Sequence, residues 1–174
     1  MEKIFIGIDI GKDGAIKVLD PKDNFTCVMP LDSEGALDID ILKTILSTYR
    51  LESLRSPNEY HVIFEKLTPL HLASKSSNWS LAHQYGAIEA CCISLSLPYT
   101  KVPPKEWQAM MFSNIAPLRK KDGTSDTKGR ALLKVQELFP SMKLTDPNKP
   151  KSKVPHNGIV DAILLAEYGR RKIK

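Results

Sequence analysis

No apolar run in this chain approaches the roughly 20 residues a membrane-spanning helix needs, which excludes a bilayer-embedded protein. The opening MEKIFIGIDI places acids where a secretory leader carries none, so an export signal is not expected and a cytoplasmic location is. Cysteine is scarce. Cys27, Cys91 and Cys92 form an odd set with one adjacent pair and no CxxC spacing, which excludes a disulfide framework and a thiolate zinc site and leaves buried reduced thiols. No internal repeat and no domain-splitting linker interrupts the 174 residues, so one domain over 1–174 is expected.

Charge is present in both signs but unevenly placed. The formal net charge is +5, from 25 Lys and Arg against 20 Asp and Glu. Acids are common in the first third, whereas the second half holds Arg119, Lys120 and Lys121, then Lys128, Arg130 and Lys134. Lys143, Lys149, Lys151, Lys153 and a basic tail from Arg170 follow. A surface with that asymmetry suits a polyanionic partner, although any single cation of the set is also accounted for by a solvated face.

The pattern of apolar residues predicts a mixed α/β protein. Residues 3–10 read as a buried central strand, followed by a turn at Asp13-Gly14 and a second strand in AIKVLD. FTCVMP reads as a third strand, residues 37–49 as a helix with Ile41, Leu42, Ile45 and Leu46 on one face, and HVIFE as a fourth strand. LTPLHLASKSSNW reads as a polar loop before a helix over 80–95, on which Gly86, Ala87 and Ala90 mark a close-packing side. YTKV is a fifth strand, and the prolines at 103 and 104 open a helix through EWQAMMF. Thr124, Ser125 and Asp126 are candidate caps for a helix through GRALLKVQELF. SMKLTDPNKPKSKVPH reads as a mobile basic segment, and a strongly apolar helix starts near Asn157.

Three acids stand where acids are uncommon. Asp9 lies within IFIGIDIG, facing with Phe5 and Gly7, so that Gly7 and Gly11 are expected to leave room around it. Glu65 ends the strand HVIFE, where its other reading is a solvated terminus paired with Lys66. Asp161 sits among Val160, Ala162 and Ile163, one turn from Asn157 on the same helix face, with Asn157 also a candidate N-cap. His156 is a ligand, a proton shuttle or a solvated loop residue. Carboxylates gathered on separate core elements repel one another unless a cation joins them. Oxygen donors of this kind suit Mg²⁺ or Mn²⁺, and two such ions about 4 Å apart activate water and stabilise the leaving oxygen of a phosphodiester. Trp107 is read as a core residue rather than a stacking platform.

GIDIGKDGAI, the strand-end FE, SKSSNWSLAHQYGAIEA, KVPPKEWQ and HNGIVDAILLAEYGRR together resemble the RuvC-like Holliday junction resolvases, in the branch found in bacteriophages and plastids. The likeness spans nearly the whole chain. It implies an RNase H-like fold, with a five-stranded mixed sheet (strands 1–3 antiparallel, then strands 4 and 5 parallel) flanked by helices. It also implies a homodimer and Mg²⁺-dependent nicking of four-way DNA junctions. The acidic site implied is Asp9, Glu65 and Asp161, with Asn157 as the fourth metal-binding and catalytic position. Members of this branch typically read HDG where this chain reads His156-Asn157-Gly158, the pattern of an engineered change made to trap DNA. An amide keeps one oxygen but loses the charge and cannot serve as a base, so slow or absent cleavage with retained junction binding is expected. The DNA contacts expected are Lys12, Lys75, Ser76, Ser77, Asn78, Lys105, Arg119, Lys120, Lys121, Lys128, Lys151 and Lys153, with the 75–78 segment near the branch point. The helix over 80–95, through Gly86 and Ala90, is expected to form much of the dimer contact.

Other readings compete. An actin-like or sugar-kinase ATPase shares the core and the opening hairpin, but 174 residues leave no room for a second lobe and no later glycine-rich adenosine motif exists, so no nucleotide cofactor is expected. A non-catalytic DNA-binding protein, or a nuclease for flaps, forks or RNA, also fits the residues.

Overall fold

The structure is a computed structural model that describes residues 2–23, 25–67 and 74–173. Five strands form one sheet in the order β3-β2-β1-β4-β5. β1 (Lys3–Asp9), β2 (Ala15–Leu19) and β3 (Thr26–Val28) are an antiparallel meander, and β4 (Glu59–Glu65) and β5 (Tyr99–Val102) run parallel to β1. This is the five-stranded mixed sheet that the family resemblance implies. The β1 to β2 turn closes through the Gly14 N–H donating to the Gly11 carbonyl at 3.0 Å, and Gly11 takes a φ of 141°, a conformation other residues adopt only with strain.

Alternation along the strands divides the core into two layers. Ile4, Ile6, Ile8, Val62 and Phe64 pack on one face against α1 (Ile39–Arg55) and α2 (Lys75–Ser94). Phe5, Ala15 and Ile63 face the other way, against α3 (Pro104–Met111), α4 (Thr127–Leu138) and α5 (Asn157–Lys172). The second layer is the tighter one. A methyl group at Gly7 would lie 1.9 Å from the Ala162 carbonyl oxygen, and one at Gly158 would lie 2.2 Å from the Asp13 carbonyl oxygen. Glycine at 7 therefore admits the backbone of α5 onto β1. It does not leave open room around Asp9, as the sequence suggested.

Several boundaries differ from the expectation. The first helix runs six residues past Tyr49 and begins after Asp38, whose side chain caps it by accepting from the Ile41 N–H. Its buried face is Leu42, Leu46 and Tyr49, while Ile41 points outward, because only one stripe of a helix can meet the sheet. The 75–78 segment is the first turn of α2, with the Ser74 hydroxyl accepting from the Ser77 N–H; it is not a loop. Serine at the N-cap stabilises a helix start that a Ser-rich composition disguises as coil. The rest of that expected loop, residues 68–73, lies outside the described residues. Asp126 is the cap of α4. The basic 141–156 segment is tied down, since the His156 N–H donates to the Leu144 carbonyl at 2.8 Å and Thr145 bridges to Pro155. Among the described residues no helix is long and apolar enough to cross a membrane.

Candidate active site

Parallel pairing of β1 and β4 puts their carboxyl ends at one edge of the sheet, the edge where open α/β sheets bind ligands. Ile8 pairs with Phe64, so Asp9 and Glu65 are next in register on strands about 4.8 Å apart and share the face covered by α5. The close approach that Gly7 and Gly158 permit lowers the first turns of α5 onto this edge, bringing Asp161 to the same place. The three acids expected from the sequence thus arrive from β1, β4 and α5.

Their electrostatics record the convergence. Burial, and then the charges of Asp161 and Glu65, hold the Asp9 carboxyl well above its usual range, with Lys128 opposing. Burial and Glu65 push Asp161 up to about 7, again against Lys128. Burial also raises Glu65, which a hydrogen bond from Trp107 Nε1 to Glu65 Oε1 at 2.7 Å counteracts. Trp107 is buried in the core as expected, yet its one polar atom orients the acid. Trp107, and not Lys66, is the partner of Glu65.

Asp9 and Asp161 line a cleft of about 490 Å³ together with Lys12, Asp13, Lys128, Lys149, His156 and Asn157. Asn157 is exposed at this mouth in the first turn of α5. The cap of that helix is His156, whose Nδ1 accepts from the Ile159 N–H at 3.4 Å, so the capping role considered for Asn157 belongs to its neighbour. With Nδ1 accepting, a neutral ring carries its proton on Nε2. Beside the cleft, the Gly11 N–H donates to Gln84 Oε1 at 3.1 Å, which ties the β1 end to α2.

The donor set fits a hard divalent cation in its chemistry: oxygen ligands only, mutually repelling, open to solvent on one side. It is not a finished cage, because among the described residues no three His, Cys, Asp or Glu side chains are gathered so as to hold a metal ion in common. Glu65, turned to Trp107, is outside the cleft wall.

Of the expected cationic contacts, Lys12 and Lys128 line the acidic cleft, and Lys75, Ser76 and Ser77 are exposed at the start of α2 nearby. Ser77 shares a small pocket with Gly11 and Lys12, and Asn78 is half-buried. Arg119, Lys120 and Lys121 stand on a tight turn closed by an Arg119 to Ser125 bridge, and Lys105 lies on α3; neither group lines the acidic cleft. Lys151 and Lys153 are exposed but also outside it, whereas Lys149, from the same run, is inside. A row of similar lysines carries no mark of which one a folded segment will turn inward. Asp13, read from the sequence only as a turn residue, is the other cleft residue that was missed.

A five-stranded sheet in this order, with acids at the ends of its parallel strands and a helix laid across them, is RNase H-like. No protein-family profile matches the sequence, and no curated protein does. Among solved structures, T. thermophilus RuvC in complex with Holliday junction substrate matches with a TM-score of 0.58 and 13% identity, over 98% of this chain and 96% of that one. A second Thermus thermophilus RuvC structure matches with a TM-score of 0.53 and 14% identity, over 97% and 95%. The chain therefore has a RuvC-like fold.

Proposed function

We propose that this chain is a structure-selective DNA endonuclease of the RuvC kind, which binds four-way junctions as a homodimer in the cytoplasm, and that residues 1–174 act as one nuclease domain. The observation that carries this reading is the approach of Asp9, Glu65 and Asp161 at one sheet edge, where Asp9 and Asp161 line a cleft also bordered by Lys12, Lys128 and Lys149. Cations at the rim attract a phosphate backbone, and acids at the floor attract divalent metal. Mg²⁺ or Mn²⁺ held by Asp9 and Asp161, with Glu65 and the Asn157 oxygen completing the set, would supply charge neutralisation and an activated water. Trp107 keeps Glu65 oriented and offsets part of the rise that burial imposes on it, and Lys128 draws a phosphate toward the acids while easing their repulsion. Asn157 brings no negative charge, so cleavage is slow in this chain while binding persists.

Symmetric cuts in two strands call for a two-fold axis. The outer face of α2 offers a surface for it: Trp79 is 76% exposed, Ile93 is 61% exposed, and Gly86 and Ala90 between them are open to solvent. A methyl group at Gly86 would meet no atom within 4 Å, so its smallness answers no need inside this chain.

The test is binding and Mg²⁺-dependent nicking on a labelled panel of junctions, flaps, forks, duplex and RNA, for the chain as it stands and for Asn157→Asp. Junction-selective binding by both, with nicking strongly enhanced in Asn157→Asp, is expected. Equal nicking rates would refute the role given to Asn157. Junction binding with no nicking by either protein, even with Mn²⁺, would instead establish a non-catalytic junction-binding protein, the reading that the unfinished metal cage favours.

A further inference from the structure

The acidic cleft occupies one side of α4 only. On the other side, between α3 and the first turn of α4, lies a second cleft of about 590 Å³, lined by Lys105, Phe112, Ser113, Ser125, Thr127 and Arg130 among others. No residue lining it is acidic. The guanidinium of Arg130 is fixed there: Nη2 donates to the carbonyls of Phe112 at 3.0 Å and Ile115 at 2.7 Å, and the group lies 4.9 Å from the Phe112 ring centre. Neutral carbonyls leave its full charge in place. Its Nε is buried with no hydrogen-bond partner, so the guanidinium is not fully neutralised by local contacts. The nearest acids in sequence are engaged locally: Glu106 accepts from the Tyr168 hydroxyl, Asp126 from the Gly129 N–H and Asp122 from Thr124. The turn bearing Arg119, Lys120 and Lys121 extends the positive surface beyond the cleft.

We propose that this second cleft binds a backbone phosphate of the DNA strand opposite the one that enters the acidic cleft. Lys128 and Arg130 are two residues apart on α4, hence about 200° apart around its axis, and they face different clefts. A helix with its side chains is about 10–12 Å across, close to the 12 Å width of a major groove. The first turn of α4 therefore separates two anion-attracting clefts by about the distance that separates the two backbones across that groove. The acidic cleft takes the strand to be cut, and the cleft of Arg130 and Lys105 holds its complement and fixes the direction in which the duplex arm leaves. This inference rests on the nuclease reading and adds to it the contact to the uncut strand.

Lys105→Glu and Ser113→Asp test it, because both side chains are exposed and neither change disturbs the core. Lys22→Glu, an exposed reversal at the other end of the sheet, controls for net charge. Junction and duplex affinities are measured from 50 to 300 mM salt. About tenfold weaker binding, with the log–log salt slope shallower by about one, is expected for Lys105→Glu, a smaller effect in the same direction for Ser113→Asp, and neither for Lys22→Glu. Unchanged affinity and slope in both cleft variants, or an equal loss in Lys22→Glu, would overturn the second cleft and leave the nuclease reading standing. Failure of the parent protein to bind any branched DNA would sink the nuclease reading itself.

Discussion

Replacing Asp161 by asparagine should stabilise the cation-free protein at neutral and alkaline pH. An acid whose folded-state pKa is raised lowers stability as pH climbs from its unfolded to its folded value, because the unfolded chain releases the proton first. For Asp161 that window runs from 3.8 to about 7. Above pH 7 the cost is on the order of 4 kcal/mol at most, since solvent at the cleft mouth screens part of it. At pH 5 less than half of the window has been crossed, and below pH 4 the cost nearly vanishes. Asparagine has the shape of the neutral acid and bears none of this cost. Thermal melts in EDTA should therefore show Asp161→Asn above its parent by several degrees at pH 8, at about 2–4 °C per kcal/mol, and by much less at pH 5. Adding Mg²⁺ at pH 8 should raise the parent's midpoint and close most of the gap. A gain of equal size at both pH values, or a loss at pH 8, would show that burial beside Glu65 does not raise this carboxyl.

Gly7→Ala should cost on the order of 3 kcal/mol or more in denaturant unfolding, because its methyl group would sit 1.9 Å from the Ala162 carbonyl oxygen and push α5 off the sheet. Gly86→Ala, which meets no atom within 4 Å, should instead stabilise α2 by up to about 1 kcal/mol; the opposite order would contradict the packing described. In sedimentation at micromolar concentration the parent should run as a dimer and Ile93→Asp as a monomer, while a monomeric parent would remove α2 as the proposed interface.

The strands themselves and the three acids that stand out beside them were legible in the sequence because they follow from short-range rules, whereas the parallel pairing of strands 4 and 5 came only with the family resemblance. Apolar alternation in IFIGID and YHVIFE marks strands wherever they occur, and an acid inside such a run stands out against the cost of burying charge. The register of the site was not legible. Nothing local in GIVDAILL says that Gly7 and Gly158 let α5 descend onto β1, nor that Trp107, 42 positions away, holds Glu65. The start of α2 at Lys75 was hidden because serine reads equally as coil and as cap, and only the Ser74 hydrogen bond separates the two.

By itself, then, the sequence determined the elements, the two faces of the sheet and the residue types able to hold a divalent cation, since propensity, periodicity and burial cost act within a few residues. Tertiary structure alone decided which of the many lysines border the acids, that Glu65 turns toward Trp107, and that α4 divides the basic surface into two clefts. Those outcomes depend on how closely distant backbones approach, a distance set by the absence of a single methyl group at Gly7 and at Gly158 and encoded in no one segment.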